Sequence, residues 1–179
     1  MHNGKLSSSA DILEKSLVFL EVFCWILPPF GALKLNFDVA IREDLPFVGI
    51  GAAVRDHCGH ILAVVFLCLS GSFLAEVGEA LTLREGLLLA KNLGIGVRFV
   101  ECDYVNVVND VSFSAFGLGV AGCVLNDIRA LCKDVGVVSC QAISRKRNDL
   151  AHTLAALACF SRKDRFWFDV KPCCFSPLR

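Results

Sequence analysis

The chain of 179 residues lacks an excess of charge of either sign, because 18 Lys and Arg balance 18 Asp and Glu. No overall field therefore indicates nucleic acid, a membrane surface or an acidic substrate as a partner. Any phosphate-binding site must be built from a local group of basic side chains. Internal repeats and low-complexity tracts are also missing, and the 55% of hydrophobic residues leaves enough material for a globular core.

Paired cysteine motifs are missing too, although the chain has ten cysteines. None of them forms a CxxC motif, and most lie inside apolar runs, where cysteine behaves as a small core residue. The cysteine content stays below the roughly 8 to 10% that is typical of disulfide-stapled secreted scaffolds. We therefore expect a reducing compartment, the nucleus or the cytoplasm.

A long hydrophobic run is absent as well. The most apolar stretch, SLVFLEVFCWILPPF, is interrupted by Glu21 and ends at Pro28 and Pro29. It falls short of the roughly 20 apolar residues that a membrane span needs, and it lacks the basic start and cleavage site of a signal peptide. We therefore expect no membrane association.

The domain organisation follows from where the pattern becomes regular. We predict a weakly ordered lead-in over residues 1–30, one domain over residues 31–162 and a C-terminal tail over residues 163–179. We also expect a monomer.

Three consecutive segments show the alternation that is typical of β-strands. They are LKLNFDVAI (33–41), PFVGIGAAVRD (46–56) and HILAVVFLCL (60–69). Gly59 lies between the second and third segments, where a tight hairpin turn needs a residue that tolerates positive φ. The pattern therefore predicts three antiparallel strands.

The period then changes to that of an α-helix, in a segment that ends at Gly94. Strands and helices alternate over the rest of the chain, which predicts an α/β architecture in which a mixed sheet carries helices on its faces. The predicted segments are a helix (75–95), a strand (97–103), two helices (104–111 and 122–135), a strand (136–143) and a closing helix (148–160).

Three acids occupy positions that a metal site would use. Asp38 lies inside the first strand, Glu79 near the start of the long helix and Asp103 at the end of the fourth strand. An unpaired buried charge is costly, whereas carboxylates at neighbouring strand ends can share a cation. Without clustered His or Cys, such a site favours Mg²⁺ or Mn²⁺, and two ions would suit phosphodiester hydrolysis. The alternative is that the three acids are unrelated.

A family resemblance supports the metal site. The segments PPFGALKLNFDVAI, GIGAAVRDHCGHILA, GEALTLREGLLLAKNLGI, VECDYVNVVN and ISRKRNDLAHTLAALA together resemble the plant reverse-transcriptase-like RNase H domain, a type 1 RNase H-like family of non-LTR retroelements. The resemblance covers roughly Trp25 to Phe175. It implies the RNase H-like fold, with a five-stranded mixed sheet and helices on both faces. It also implies metal-dependent cleavage of the RNA strand of RNA:DNA hybrids.

The same resemblance assigns the site residues. It places the family's catalytic and metal-binding acids on Asp38 in NFDVA, Glu79 in EALTLREGL and Asp103 in ECD. The cofactor that it implies is Mg²⁺ or Mn²⁺, bound as two ions. The fourth metal-site position falls on His152 in NDLAHTLA. A neutral imidazole brings no charge, so the second ion would bind more weakly there than beside a carboxylate.

Two positions depart from the family pattern. Ala142 stands where a proton-shuttling histidine is common, and Gly78 stands where Ala is usual. Glu76, three residues before Glu79 on the same helical face, is a rival for its role. Two functions therefore stay open. One is an endoribonuclease acting on RNA:DNA hybrids, and the other is a catalytically inactive nucleic-acid-binding or interaction module derived from a retroelement.

Polar residues outside the acids supply the remaining candidates. Arg145, Lys146, Arg147 and Asn148 precede or begin the closing helix, and we predict that they contact the nucleic acid, although a short basic run is as often a solvated loop. Asn148 can also cap that helix. A further polar cluster, of His57, Cys58 and His60, lacks a second ligand pair at zinc-finger spacing and is predicted to form a turn.

Overall fold

The computed structural model describes residues 24–112 and 120–168, so most of the predicted lead-in and part of the tail lie outside the described residues. The described chain forms one sheet of six strands with four helices. The strands are β1 (Lys34–Ala40), β2 (Phe47–Arg55), β3 (Ile61–Ser70), β4 (Phe99–Cys102), β5 (Ser139–Ala142) and β6 (Arg165–Phe168). The helices are α1 (Ala75–Asn92), α2 (Val105–Ser112), α3 (Val120–Val135) and α4 (Asp149–Ser161).

The sheet is mixed, with the strand order β5-β4-β1-β2-β3-β6. β1, β2 and β3 pair antiparallel, as the three alternating segments predict. β4 then adds parallel to the other side of β1, and β5 adds parallel to β4. The predicted α/β class is therefore confirmed, and β1 lies inside the sheet between β4 and β2.

The sixth strand was not predicted. β6 pairs antiparallel with the edge strand β3, within the segment that the sequence assigned to the tail. Phe166, Trp167 and Phe168 in β6 are all exposed, so the strand shows no alternation of buried and exposed residues that a sequence pattern would reveal. The prediction of five strands is wrong for this reason.

Helices cover both faces of the sheet, as predicted. Val39 in β1 lies against Gly78 of α1, whereas the next residue back, Asp38, pairs across the strands with Gly51 of β2. Gly51 in turn lies directly against the backbone of α4. Since successive residues of a strand project to opposite faces, α1 packs on one face and α4 on the other.

The hydrophobic core holds the α1 face of the sheet together. Its largest fully buried side chains include Leu35 and Phe37 of β1, Leu83 and Leu87 of α1, and Ile128 of α3. The end of β1 that bears Asp38 therefore rests on a rigid, apolar base. Among the described helices, none is long and apolar enough to span a membrane.

Glycine at position 51 permits the close approach of α4. A Cβ added to Gly51 would lie 2.7 Å from the carbonyl oxygen of Ala151, a backbone atom that cannot rotate away. A Cβ on Gly78 would lie 2.9 Å from a methyl group of Val39, a side chain that can adjust. The two glycines therefore differ in what an added methyl group would displace.

We expect Gly51→Ala to lower the free energy of unfolding by about 1–3 kcal/mol, which is a fall of several degrees in Tm. We expect Gly78→Ala to be close to neutral, because the gain of about 1 kcal/mol in helix propensity offsets the contact with Val39. Thermal unfolding of both variants measures the difference. An unchanged Tm for Gly51→Ala would show that α4 can move away from the sheet.

Candidate active site

The three acids converge at one end of the sheet. One carboxylate oxygen from each of Asp38, Glu79 and Asp103 lies within 4.8 Å of the others. Asp38 and Glu79 are each 4% exposed, and Asp103 is half-buried. The predicted convergence is confirmed, and the alternative of three unrelated acids is wrong.

Strand register explains why two of the acids meet. In the parallel pair of β1 and β4, Asn36 lies opposite Glu101. Asp38 and Asp103 each follow two residues later, so they project from the same face at the same level. α1 supplies the third acid, Glu79, from the helix that packs across β1.

Burial and crowding disfavour ionisation of Asp38 and Glu79. Burial raises the pKa of Asp38 and the charge of Asp103 raises it further, while the hydrogen bond from His152 opposes the shift. Burial, followed by the charges of Asp38 and Asp103, raises the pKa of Glu79 to about 9. Without a cation, Glu79 is therefore protonated at neutral pH.

Glu79 also carries the clearest sign of an absent partner. Its Oε2 is buried and makes no hydrogen bond, although buried polar atoms in proteins are nearly always paired. Three hard oxygen ligands with one oxygen unpaired suit a small divalent cation such as Mg²⁺ or Mn²⁺. Positive charge between the carboxylates would also oppose the rise in pKa that burial and the neighbouring charges cause in Asp38 and Glu79.

His152 contacts Asp38. Its Nδ1 lies 2.7 Å from Asp38 Oδ2, and the second oxygen of Asp38 accepts the backbone N–H of Val39 at 2.9 Å. Arg145 Nη2 lies 3.2 Å from the ring nitrogens of His152. Arg145 can only donate, so if Nδ1 donates to Asp38, Nε2 is the ring nitrogen that can accept from Arg145. Asp38 therefore has a protein partner besides any cation.

Asn148 lies inside the protein, and its predicted contact with nucleic acid stays a prediction. Its side chain is fully buried, and although it occupies the cap position of α4 it makes no capping hydrogen bond. Instead, Nδ2 donates to the carbonyl oxygen of Phe37 at 2.8 Å and to Asp103 Oδ1 at 3.2 Å. Its Oδ1, which a helix cap would use to accept a backbone N–H, accepts from Asn36 Nδ2 at 3.3 Å instead, so Asn148 supports the site from behind.

The basic run divides between the site and the loop. Arg145 is exposed and lines the cleft beside His152. Arg147 is half-buried, with its Nε shielded from solvent and without a hydrogen bond, and Lys146 is exposed. The structure therefore brings only Arg145 of the three to the acids.

The structure also decides between the two candidate glutamates. Glu76 is exposed, and its Oε1 is 3.4 Å from both Tyr104 Oη and Asn106 Nδ2. Glu79 lies in the acid group and Glu76 does not. Ala142 ends β5 as an exposed residue, so this position brings no imidazole to the site.

A second group of potential ligands lies in the turn between β2 and β3. Asp56, Cys58 and His60 lie close together, but Asp56 Oδ1 accepts the backbone N–H groups of Cys58 at 2.8 Å and His60 at 2.9 Å. Its other oxygen lies 3.2 Å from His60 Nδ1. These bonds account for the group as a turn, as predicted.

The sequence interpretation missed two aromatic residues of the cleft. The acids open into a cleft of about 710 Å³ that Tyr104 and Phe160 also line. Tyr104 directly follows Asp103, and Phe160 lies two helical turns after His152 and is 89% exposed. Adjacency to a strand-end acid and helical spacing from a site residue are the signals that point to them.

The mixed sheet, the two covering helices and the acid group at the end of β1 define an α/β protein with the RNase H-like fold. The chain belongs to the reverse transcriptase-like family, whose model matches residues 36–158. No curated protein matches the chain by sequence.

Solved RNase H structures share this fold. RNase H1 from the archaeon Halobacterium salinarum has 19% identity and a TM-score of 0.66, over 73% of this chain and 99% of that one. The N-terminal RNase H domain of a Mycobacterium tuberculosis protein has 23% identity and a TM-score of 0.63, over 70% and 96%. LC11-RNase H1 from compost, solved with an RNA/DNA hybrid, has 18% identity and a TM-score of 0.64, over 73% and 98%. At these identities the likeness establishes the fold alone.

The raised pKa of Glu79 makes stability depend on pH. Between the unfolded value near 4.5 and the folded value of about 9, the folded chain binds more protons than the unfolded chain, so stability falls as pH rises. Glu79→Gln removes this dependence, so in chelator we expect its Tm to exceed that of the wild type increasingly from pH 5 to pH 9. Thermal unfolding across that range measures the gap. A Gln variant that is less stable at every pH would show that the Glu79 carboxylate makes a favourable contact.

Proposed function

We propose that this protein is a metal-dependent endoribonuclease that cleaves the RNA strand of RNA:DNA hybrids. The observation that carries the proposal is the buried, unpaired Oε2 of Glu79 within a group of three converging carboxylates. A purely structural cluster would be expected to pair that oxygen with a donor. The RNase H-like fold adds support, because its β1, β4 and α1 bring one acid each to the same place.

Asp38, Glu79 and Asp103 would hold Mg²⁺ or Mn²⁺, as two ions. Such a pair, when bound, supplies activation of a water molecule and stabilisation of the leaving oxygen of a phosphodiester. The chain holds two of the acids in advance, since Val39 N–H and His152 orient Asp38, and Asn148 orients Asp103. Glu79 keeps a free oxygen for the site.

His152 and Arg145 would act at the edge of the acid group. His152 completes the site at the fourth position, where its imidazole brings no negative charge. Arg145 carries an exposed guanidinium beside it, within reach of a phosphate that enters the cleft. The positive charge of Arg145 also offsets part of the negative charge of the acid group, since it lowers the pKa of Glu79.

The proposal of a hybrid substrate rests on structural neighbours that were solved with an RNA/DNA hybrid. LC11-RNase H1 and a foamy viral protease-reverse transcriptase have each been solved with an RNA/DNA hybrid. We propose that this chain, acting as a monomer in the nucleus or cytoplasm, selects a hybrid through its backbone and the 2′-hydroxyls of the minor groove. Tyr104 and Phe160 offer apolar surface beside the acids for such contacts.

The rival function is a catalytically inactive nucleic-acid-binding module. Ala142 favours it, because that exposed end of β5 has no imidazole with which to move a proton. This module would bind the hybrid through the same cleft without cleaving it.

Cleavage of a labelled hybrid in Mg²⁺ or Mn²⁺ separates the two functions. We expect cleavage by the wild type, its loss on chelation, and its loss in Asp103→Asn, which keeps the size of the side chain but removes the charge. Glu76→Gln is the matched control and should retain activity, because Glu76 lies outside the acid group. Tight binding by the wild type without cleavage in either ion would establish the inactive module instead.

A second prediction concerns the phosphate contact. Arg145→Ala should weaken hybrid binding. It should also reduce the slope of log K against log salt concentration by up to about 0.9, the value for one phosphate contact to B-form DNA. Arg147→Ala is the control of equal size and charge, and its half-buried side chain predicts a smaller change. Titrations at several salt concentrations measure both slopes. Equal slopes for the wild type and Arg145→Ala would show that Arg145 makes no phosphate contact.

A further inference from the structure

A chain of buried polar side chains runs behind the acid group. Asn36 and Asn148 are fully buried, and Glu101 is 3% exposed. None of these three residues belongs to the group of converging carboxylates. Burial of these polar side chains is costly unless each is hydrogen-bonded. Their hydrogen-bond partners therefore show which parts of the site they hold in place.

Asn148 connects the three segments that carry site residues. Its Nδ2 donates to the carbonyl oxygen of Phe37, which directly precedes Asp38, and to Asp103 Oδ1. The backbone carbonyl oxygen of Asn148 accepts the backbone N–H of His152 at 3.1 Å. One residue therefore ties β1, the end of β4 and the first turn of α4 together.

The orientation of the Asn148 amide is set from a distance. Arg55 can only donate, and its Nη2 lies 2.8 Å from Asn36 Oδ1. Asn36 Nδ2 must then face the other way, towards Glu101 Oε2 at 3.2 Å and Asn148 Oδ1 at 3.3 Å. With its oxygen engaged by Asn36, Asn148 has only its NH₂ group left for Phe37 and Asp103.

The far end of this polar chain is anchored by charge and by an aromatic ring. Lys34 Nζ lies 2.7 Å from Glu101 Oε1, and Trp25 Nε1 donates to Glu101 Oε2 at 2.9 Å. The guanidinium of Arg55 stacks on the Trp25 ring at 3.3 Å from its centroid. Each group that orients Asn36 is therefore itself held.

We propose that Asn148 is a positioning residue for the metal-binding acids and that Arg55, through Asn36, sets the direction of its amide. The proposal rests on the proposed function in that the acids must bind a divalent cation. Asn148 holds Asp103 by a hydrogen bond from its Nδ2. It holds Asp38 indirectly, by a second hydrogen bond to the backbone carbonyl of the preceding residue, Phe37. Removing its amide frees both acids to move apart under their mutual repulsion.

Mn²⁺ affinity, measured by calorimetry on the full chain, tests the positioning role. Loss of a group that orients metal ligands commonly weakens metal binding by about 10- to 100-fold, so we expect a change of that order for Asn148→Ala. Asn36→Ala keeps the Asn148 amide but removes what orients it, so we expect a smaller, several-fold loss. Val65→Ala is the stability control, because Val65 is buried in β3 away from the acids. Its Mn²⁺ affinity should equal that of the wild type even though its Tm falls.

The outcomes separate this proposal from the proposed function. If the wild type and a folded Asn148→Ala variant bind Mn²⁺ equally well, the positioning role is overturned. The nuclease proposal is then unaffected. If Asn148→Ala does not fold, Asn36→Ala decides, and an unchanged affinity in that variant overturns the role of Arg55 and Asn36. Wild type that binds no Mn²⁺ with or without a hybrid overturns both proposals. Equal losses in Val65→Ala and Asn148→Ala would reduce the effect to general destabilisation and also overturn the positioning role.

Discussion

Repulsion among Asp38, Glu79 and Asp103 is the constraint around which the remaining contacts of the site are arranged. The register of β1 against β4 forces Asp38 and Asp103 together, and the packing of α1 over β1 adds Glu79. This crowding opposes folding, because Asp38 and Glu79 lose hydration on burial and each carries its negative charge only against that of a neighbouring acid. The apolar core beneath β1 has to supply the stability that the acids remove. A functional site that opposes folding is expected where ligand binding, not stability, determines which residues are present.

The three acids are held unequally, and the inequality assigns them different behaviour. Asp38 accepts bonds from His152 and from the Val39 N–H, and Asp103 accepts one from Asn148. Glu79 Oε2 accepts none, and the pKa of Glu79 is raised to about 9. Under the proposed function, a cation that binds at neutral pH would therefore displace a proton chiefly from Glu79. The acid with the unpaired oxygen is therefore the one whose protonation links the site most strongly to pH.

Periodicity and strand-end position predicted most of this architecture, and burial decided what they left open. The alternating segments of β1 to β3 and the acids at strand ends carry strong local patterns, so their arrangement was predictable. Glu76 and Glu79 lie three residues apart in α1, and only the packed structure shows that Glu79 is the buried one. Asn148 fits the local rule for a helix cap, yet acceptors more than 40 residues away in the chain engage its amide. β6 escaped prediction because its aromatic side chains are exposed and its pairing depends entirely on the edge of β3.

The presence of His152 changes the charge balance of the proposed site. A carboxylate at that position would lie beside Asp38 and add a fourth like charge, whereas the imidazole donates a hydrogen bond to Asp38. Under the proposed function, two dications bring four positive charges and the acid group supplies only three negative ones. The missing negative charge is what a phosphodiester group carries, and Arg145 beside His152 adds to the need for it. Under the proposed function, full occupancy by both ions would therefore be linked to the substrate, because a phosphate that enters the cleft would supply negative charge that the chain itself does not.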